Sequence, residues 1–463
     1  MRDDRGVVVS KERAALKPLS KGTLAAVVIG LTMFTAVVVT VLWWAGTRGL
    51  TDDKLVTARF EALRIGLSIG IGGGGVFALY LAWRRQRSTE DDLDNRERAL
   101  ALQRQVAADT VAHQQRTADA SEKDAAERRI TELYTKAADQ LGSDKAPVRL
   151  AGLYALERLA QGNPEQRQTI VNLLCAYLRM PFPPLGEADV AHQEREVRMA
   201  TQRILFHHLR PDAESAFWPD IDLDLTGAIL VEVDLVGCRV RSARFSRATF
   251  DGPAQFRDLR VSGSARFREA VFTADAGFEL ASFGGNTEFR QASFTGQAEF
   301  IGTTFGDFAG FDGVRFGRHC GFERVTFDSV ASFEQARFEG TARFHLAEFS
   351  AACRFSRATF DGAVTFYGVN FARGTTFDEV AFAGDAEFQR AKFGGPAWFR
   401  KASFSALARF NPATFTGPFH LEDARFADGA HFGGATFGVT PILERTGFAK
   451  GVPAVLEEAH GTG

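Results

Sequence analysis

The chain has 463 residues, a formal net charge of −2, and 43 phenylalanines against five tyrosines and five tryptophans. This length allows two or three domains. The near-neutral charge argues against a nucleic-acid-binding surface and against a strongly acidic surface that imitates nucleic acid, so we expect no nucleic-acid partner.

The N-terminal residues 1–23 are a basic head, and residues 24–44 after it carry no charge. An uncharged stretch of this length can cross a bilayer, and this one ends in two tryptophans suited to the membrane interface. A cleaved signal peptide is the alternative, but its apolar core would be shorter. A second uncharged run, residues 65–83, favours a hairpin of two transmembrane helices.

The second run carries Gly66, Gly70 and Gly74 at four-residue spacing. We expect these small residues to pack against the first span. A phosphate-binding loop is the alternative, but no Lys-Ser or Lys-Thr follows the glycines. Lys and Arg are more frequent in the head and after the second span than in the connector, which favours a cell-membrane protein with both ends in the cytoplasm.

Residues 84–129 are rich in Ala, Glu, Gln and Arg and predict a long, solvated helix. Leu93, Leu100 and Ala107 follow a short near-heptad pattern that leaves a homo-oligomer open. Apolar residues become more frequent in residues 130–217, which predict a helical unit. Within it, Asn163-Pro164 is typical of a helix start, and Pro181, Pro183 and Pro184 are expected to end that helix.

Between positions 245 and 448, Phe or another apolar residue recurs at alternating steps of five and six residues, and 35 of the 43 Phe lie on this series. A small residue, most often Ala, stands two residues before each position. Side chains at i and i−2 of a strand point to the same side, so both series are expected to face one interior. An α-helix and an eleven-residue coiled coil are excluded, because steps of five and two leave no common helix face.

Upstream, from Leu225, the step is five residues throughout. The stretch "LTGAILVEVDLVGCRVRSARFSRATF" and its successors resemble the pentapeptide-repeat family, in which a small residue precedes Leu or Phe by two. The resemblance covers about half of the chain and implies a right-handed quadrilateral parallel β-helix with four such positions per coil. The extra residue in every second step predicts a 22-residue coil with two opposite corners bulged, and about ten coils within residues 218–450, before a tail at 451–463.

The helical part also carries resemblances. The segments "LYTKAADQLGSDKAPVRLAGLYALERLA" and "PEQRQTIVNLLCAYLRMPF" are similar to a helical unit of membrane-anchored bacterial pentapeptide-repeat proteins. The segment "VRLAGLYALERLA" also resembles a helix of a HEAT-type pair. A unit of this kind could bind a partner, but capping and orienting the β-helix is the simpler role.

Residues with chemical reactivity show no catalytic arrangement. Cys238, Cys320 and Cys353 fall on small inward positions and Cys175 on an apolar helix, which predicts buried, reduced thiols rather than a disulfide or metal site and fits a cytosolic setting. The nine histidines lack metal-ligand spacing and form no Ser-His-Asp pattern. We therefore expect no catalytic, metal-binding or cofactor-binding residues, no cofactor and no enzymatic activity.

One outward position differs from the rest. Trp398 should project from the face that carries Thr376 and His420 on the neighbouring coils, where it is a candidate contact for a protein partner. Single exposed aromatic residues are also common without any function. We expect a non-enzymatic, membrane-tethered scaffold or protein-interaction module whose β-helix faces the cytoplasm and whose protein partner is unidentified. The family resemblance supplies the alternative, a nucleic-acid mimic that inhibits or protects a DNA-binding enzyme such as gyrase.

Overall fold

A computed structural model describes residues 20–46, 48, 52–181 and 188–461 of the chain. Most of the predicted basic head, the prolines at 183 and 184 and the last two residues of the tail lie outside this part. The chain divides into two compact units, Met1–Ala125 and Ala126–Gly463, which are described separately below.

The described residues of the first unit form two helices. Helix α1 is Lys21–Gly46, and helix α2 begins at Asp52 and continues to Leu141 in the second unit. The second uncharged run and the polar segment after it therefore form one uninterrupted helix, because residues 52–141 contain no proline and are rich in helix-forming Ala, Glu and Arg. Lys21–Gly46 and Val56–Leu141 each contain a window that is long and apolar enough to cross a membrane.

The glycines of α2 lie against α1. A Cβ atom added at Gly66 would collide with Val39, and one added at Gly70 would lie 3.2 Å from the Thr35 side chain. The prediction of close packing is therefore confirmed for these two glycines. It was wrong for Gly74, which has open space around it, whereas Gly73 faces Leu31 of α1. The reason is the helical period, since positions i, i+4 and i+7 share one face and i+8 begins to leave it.

The second unit begins with a small group of helices. They are α3 (Ala146–Gly162), α4 (Arg167–Arg179) and α5 (Ala188–His207), with short 3-10 turns at Pro164–Gln166 and Pro211–Ala216. Asn163 precedes the first of these turns without capping it, and its side-chain amide instead donates to the Leu159 carbonyl oxygen at 2.8 Å. Helix α4 ends at Arg179, before the predicted proline stop.

A parallel β-solenoid follows, and its four faces are numbered in the order in which the chain visits them. Face 1 consists of Asp222–Asp224, Ser242–Arg244, Ala265–Arg266, Thr287–Glu288, Ala309–Gly310, Ala331–Ser332, Cys353–Arg354, Thr375–Thr376, Ala397–Trp398 and Phe419–His420. Faces 2 and 3 both begin with the long strands Ile229–Asp234 and Thr249–Gln255. Each of these strands contributes its first residues to face 2 and its last residues to face 3.

The remaining strands of each face have two residues. Face 2 continues with Val271–Phe272, Ser293–Phe294, Arg315–Phe316, Arg337–Phe338, Thr359–Phe360, Ala381–Phe382, Ser403–Phe404, Arg425–Phe426 and Gly447–Phe448. Face 3 continues with Ala276–Gly277, Ala298–Glu299, Cys320–Gly321, Ala342–Arg343, Val364–Thr365, Ala386–Glu387, Ala408–Arg409 and Ala430–His431. Face 4 consists of Arg239–Val240, Arg260–Val261, Ser282–Phe283, Thr304–Phe305, Thr326–Phe327, Glu348–Phe349, Asn370–Phe371, Lys392–Phe393, Thr414–Phe415 and Thr436–Phe437. The chain closes with α6, Ala454–Gly461.

The length of a coil grows over the first turns of the solenoid. Asp222 pairs with Ser242 on face 1, and the later pairing of Arg239 with Arg260 on face 4 spans one residue more. The pairing of Ala243 with Ala265 adds one again, and this 22-residue register is kept by the coils that follow. The fold prediction is confirmed: the chain forms a helical N-terminal region with two apolar helices and then a parallel solenoid of 22-residue coils.

Stacked phenylalanines fill the interior. Phe250 and Phe272 stack with ring centroids 4.4 Å apart and planes 1° from parallel, and rings in neighbouring columns meet edge to face, as Phe300 and Phe311 do at 5.6 Å and 90°. Both geometries are favourable for aromatic rings, each contributing about 0.5–1.5 kcal/mol beyond the burial of area. The small residues two positions earlier are buried as well, which leaves room for the rings.

Phe419 and Leu421 test this packing, because Phe here takes the small position and Leu the position of the ring. Both are fully buried, and the Phe419 ring stacks on Phe415 with centroids 4.1 Å apart. We predict that Leu421→Phe destabilises residues 126–463 by about 1–3 kcal/mol through overpacking, and that Phe419→Ala costs roughly 3–5 kcal/mol through a cavity.

The double variant restores the Ala-x-Phe pattern, so its loss should be smaller than the sum of the single losses by about 1–3 kcal/mol in chemical denaturation. Strictly additive losses would mean that the two side chains do not share one interior space.

Candidate functional site

The outward residues of the four faces form the surface on which a partner would bind. On face 1 the strand pairing places Thr376, Trp398 and His420 in one row, as the sequence predicts. The Trp398 ring is half-buried. It stacks on the His420 ring with centroids 6.0 Å apart, and a Cβ atom added at Gly374 would lie 2.9 Å from its Cζ3 atom. The absence of a side chain at Gly374 therefore lets the indole lie against the backbone.

This arrangement holds the Trp398 ring in place. His420 is itself fixed, because its Nδ1 atom lies 3.0 Å from the Glu422 Oε1 atom. An aromatic side chain that is already ordered loses little conformational entropy on binding, which suits it to anchor a contact.

Charged residues of neighbouring coils neutralise one another along the faces. Glu387 and Arg409 stand one above the other, with the Arg409 Nη1 atom 3.0 Å from Glu387 Oε1, as the 22-residue repeat predicts. Arg357 and Glu379 form a similar pair at 3.0 Å. Exposed pairs of this kind contribute less than about 1 kcal/mol each, so their main effect is to keep the faces near neutral.

The helical unit covers the first coil of the solenoid. The Gln202 side chain accepts from the Val231 backbone N–H at 3.0 Å and donates to the Val231 carbonyl at 2.8 Å. Gln168 makes the same two contacts with Asp222, both at 2.9 Å. These amides replace the missing neighbouring strand, and an edge covered in this way is closed to pairing with another chain. Neither glutamine was predicted from the sequence, because each stands among other polar residues, as Gln202 does between Thr201 and Arg203.

The same helices bury the start of the solenoid. Trp218 is fully buried and stacks on His208, with centroids 4.0 Å apart and planes 2° from parallel. Its indole Nε1 donates to the Gln161 side chain at 2.9 Å. One continuous core runs from α2 and the helical unit through the coils to Leu456 of α6.

All four cysteines are free and buried. Burial raises the pKa of the Cys175 thiol to about 11 and that of Cys238 to about 12. It also raises the pKa values of Cys320 and Cys353 well above the ordinary range. Since the thiolate is the reactive form, these side chains are packing residues rather than nucleophiles. Among the residues that the structure describes, no group of three or more His, Cys, Asp or Glu could hold a metal ion.

Face 3 carries a group of carboxylates that the sequence did not single out. Glu299 lies beside Gly321, where an added Cβ atom would collide with it, and Glu323 reaches the same space. The Oε2 atoms of Glu279, Glu299 and Glu323 are buried without a hydrogen-bond partner among the described residues. Burial, and then the nearby Glu323 and Glu279 carboxylates, raise the pKa of Glu299 to about 7.

The family model described as pentapeptide repeats, nine copies, matches three overlapping segments, residues 311–359, 344–392 and 388–436. The four-faced solenoid with small residues two positions before each Phe is thus a pentapeptide-repeat β-helix. The repeat region of the chain, over residues 311–436, therefore belongs to the pentapeptide-repeat family, as the sequence predicts. Comparison with curated proteins and with solved structures gives no match.

We predict that Glu299 makes the protein less stable as the pH rises. Its carboxyl has a pKa of about 7 in the folded chain against 4.5 ordinarily, so the folded state binds more protons than the unfolded state between these values. The contribution to stability is present below about pH 4.5 and is lost as the pH rises through about 7.

Glu299→Gln removes the titrating group, so the melting temperature of the variant relative to the natural protein should be higher at pH 8 than at pH 4.5. Glu348→Gln, an outward substitution on face 4, is the matched control. If the difference in melting temperature between Glu299→Gln and the natural protein is the same at pH 8 and at pH 4.5, the raised pKa of Glu299 is contradicted.

Proposed function

We propose that the protein is a membrane-tethered scaffold that presents its pentapeptide-repeat β-helix to a protein partner in the cytoplasm. The observation that carries the proposal is the filled interior: the inward Phe and small residues are buried along the coils, so the solenoid offers long outer faces. Rods of stacked repeats bind through such extended surfaces. This architecture is typical of interaction modules rather than of enzymes.

Trp398 is the proposed anchor for that partner. Its ring is held by Gly374 and His420 and is half-open to solvent, and pre-ordered aromatic side chains are common among residues that dominate binding energy. Arg400, two residues along, pairs with Asp378 on the preceding coil. The surface around the ring is thus ordered and largely neutral, which suits a protein contact better than a nucleic-acid contact.

The tether rests on the two apolar helices of the first unit. None of the described residues of α1 is buried, and large apolar side chains such as Ile29, Met33 and Phe34 are more than half exposed. Apolar surface of this extent favours contact with lipid. The excess of Lys and Arg in the head and after the second span supports an orientation with the repeat domain in the cytoplasm.

The alternative of a nucleic-acid mimic for an enzyme such as gyrase is less well supported. A mimic needs an unbroken acidic surface, whereas carboxylates on several faces here pair with arginines of adjacent coils, as in Arg337 with Asp361 and Arg445 with Asp423. The pairing of carboxylates with arginines along the solenoid therefore favours the scaffold over the nucleic-acid mimic.

The orientation can be tested with Thr51→Cys in the connector and Ser121→Cys in α2. We expect a membrane-impermeant maleimide to label position 51 in intact cells and position 121 only after permeabilisation. The four natural thiols give little background, because all are buried. Labelling of position 121 in intact cells would place the repeat domain outside.

The partner contact can be tested with a photo-crosslinking amino acid at position 398. We expect a discrete crosslinked product in cells, and loss of the same partner from co-purification when Trp398→Ala is made. Thr365, half-buried and outward on the opposite face 3, is the matched control position. No product at 398, or an equal product at 365, would refute the proposed contact.

A further inference from the structure

A cavity of about 330 Å³ lies on face 4 beside the first coils, and we refer to it as the face 4 cavity. It is bounded by Phe217, Pro219, Arg239, Arg260, Ser262 and Ser282. Below it lie Val240 and Val261, the two inward positions of face 4 at which Val replaces the Phe found from Phe283 onward. A volume of this size is at the lower end of small-molecule sites.

Two arginines point outward side by side at this cavity. Arg239 and Arg260 are direct partners on adjacent parallel strands, so their side chains start roughly 4.8 Å apart. Like charges placed directly opposite each other on a sheet destabilise it. Among the described side chains, Arg239 forms no ion pair, and Arg260 meets only the Asp258 carboxylate, at 3.4 Å.

A second pair of stacked arginines is bridged by a carboxylate. Arg315 and Arg337 are partners on face 2, and both reach the Glu339 Oε1 atom, at 2.8 and 3.3 Å. The Arg239–Arg260 pair has no comparable bridging carboxylate within the described residues. Its charge is therefore available to an anion from outside.

The cavity also offers hydroxyl groups. Ser262 and Ser282 line it, and neither hydroxyl makes a hydrogen bond to another described residue. Asp220 stands in the same wall but forms no ion pair with either arginine among the described residues, so the Arg239 guanidinium group has no carboxylate partner there. Phe217 and Pro219 add an apolar side to an otherwise polar space.

We propose that the face 4 cavity binds a phosphate group, supplied by a small phosphate monoester or by the headgroup of an anionic lipid. Guanidinium groups donate paired hydrogen bonds that match phosphate oxygens, and two of them one strand apart can hold a single phosphate between them. The serine hydroxyls donate to the remaining oxygens. The bound anion takes the position that Glu339 occupies between Arg315 and Arg337, and it removes the repulsion within the Arg239–Arg260 pair.

The test uses the full chain in an uncharged detergent, with its melting temperature measured against inorganic phosphate and glycerol phosphate. Potassium chloride at equal ionic strength is the reference. We expect a saturable rise in melting temperature, because a ligand that binds only the folded state stabilises it. Arg239→Gln combined with Arg260→Gln should abolish the rise, whereas the matched control, Arg315→Gln with Arg337→Gln, should keep it.

A readout without ligand separates binding from a structural role. In the absence of phosphate the Arg239 and Arg260 double variant should melt at or above the temperature of the natural protein, since a repulsive pair has been removed. If the double variant does not fold, Arg239→Gln alone serves, because it leaves the contact of Arg260 with Asp258 intact.

Lipid nanodiscs distinguish the two sources of phosphate. Stabilisation by glycerol phosphate but not by phosphatidylglycerol nanodiscs would assign a soluble ligand, and the reverse would assign a headgroup. No rise beyond potassium chloride with either, or a rise that survives in the double variant, would overturn the proposal.

Discussion

Stacking of identical rings from coil to coil is the interaction on which this structure depends. Along each face most Phe rings meet a ring of the next coil, as Phe388 meets Phe410 with centroids 4.7 Å apart and planes 1° from parallel. Because such a stack requires rings at matching places in successive coils, coil length, turn position and the small residue before each ring are all constrained together. Backbone pairing then follows at the spacing of a parallel sheet.

Since the interior is uniform, the differences between coils appear on the outside and at the ends. Outward positions vary from coil to coil, and this variation produces the Trp398 row, the carboxylates of face 3 and the arginines of the face 4 cavity. The first coil needs a different solution, because it has no preceding coil to pair with. Gln168 of α4 and Gln202 of α5 make the backbone hydrogen bonds that a preceding coil would make. The helical unit therefore belongs to the same folded body as the solenoid.

Positions that face inward could be predicted from the sequence, and those that depend on neighbours outside the repeat could not. Phe at alternating steps of five and six, with Ala two residues earlier, was enough for the coil and for the pairing of Glu387 with Arg409. The half-burial of Trp398 was not predictable, because it depends on Gly374, which lies one coil earlier and before the strand rather than at the matching position. Glu299 was missed for a different reason: its partner Gly321 stands at the matching position of the next coil, but the repeat does not specify that the Glu323 side chain reaches the same space. In α2 the uncharged and polar segments looked like separate elements, and only the lack of a helix-breaking residue between them indicates one helix.

The central claim is that a 22-residue coil of stacked rings organises the chain, and thermal unfolding of two deletion variants tests it most directly. Removing residues 334–355 joins Phe333 to Ser356 and keeps every later ring in its column. Removing residues 336–355 deletes two residues fewer and displaces all later rings from the columns. We expect the first variant to unfold cooperatively near the melting temperature of the natural protein and the second to lose this transition. Equal stability of the two variants, or failure of the first to fold, would contradict it.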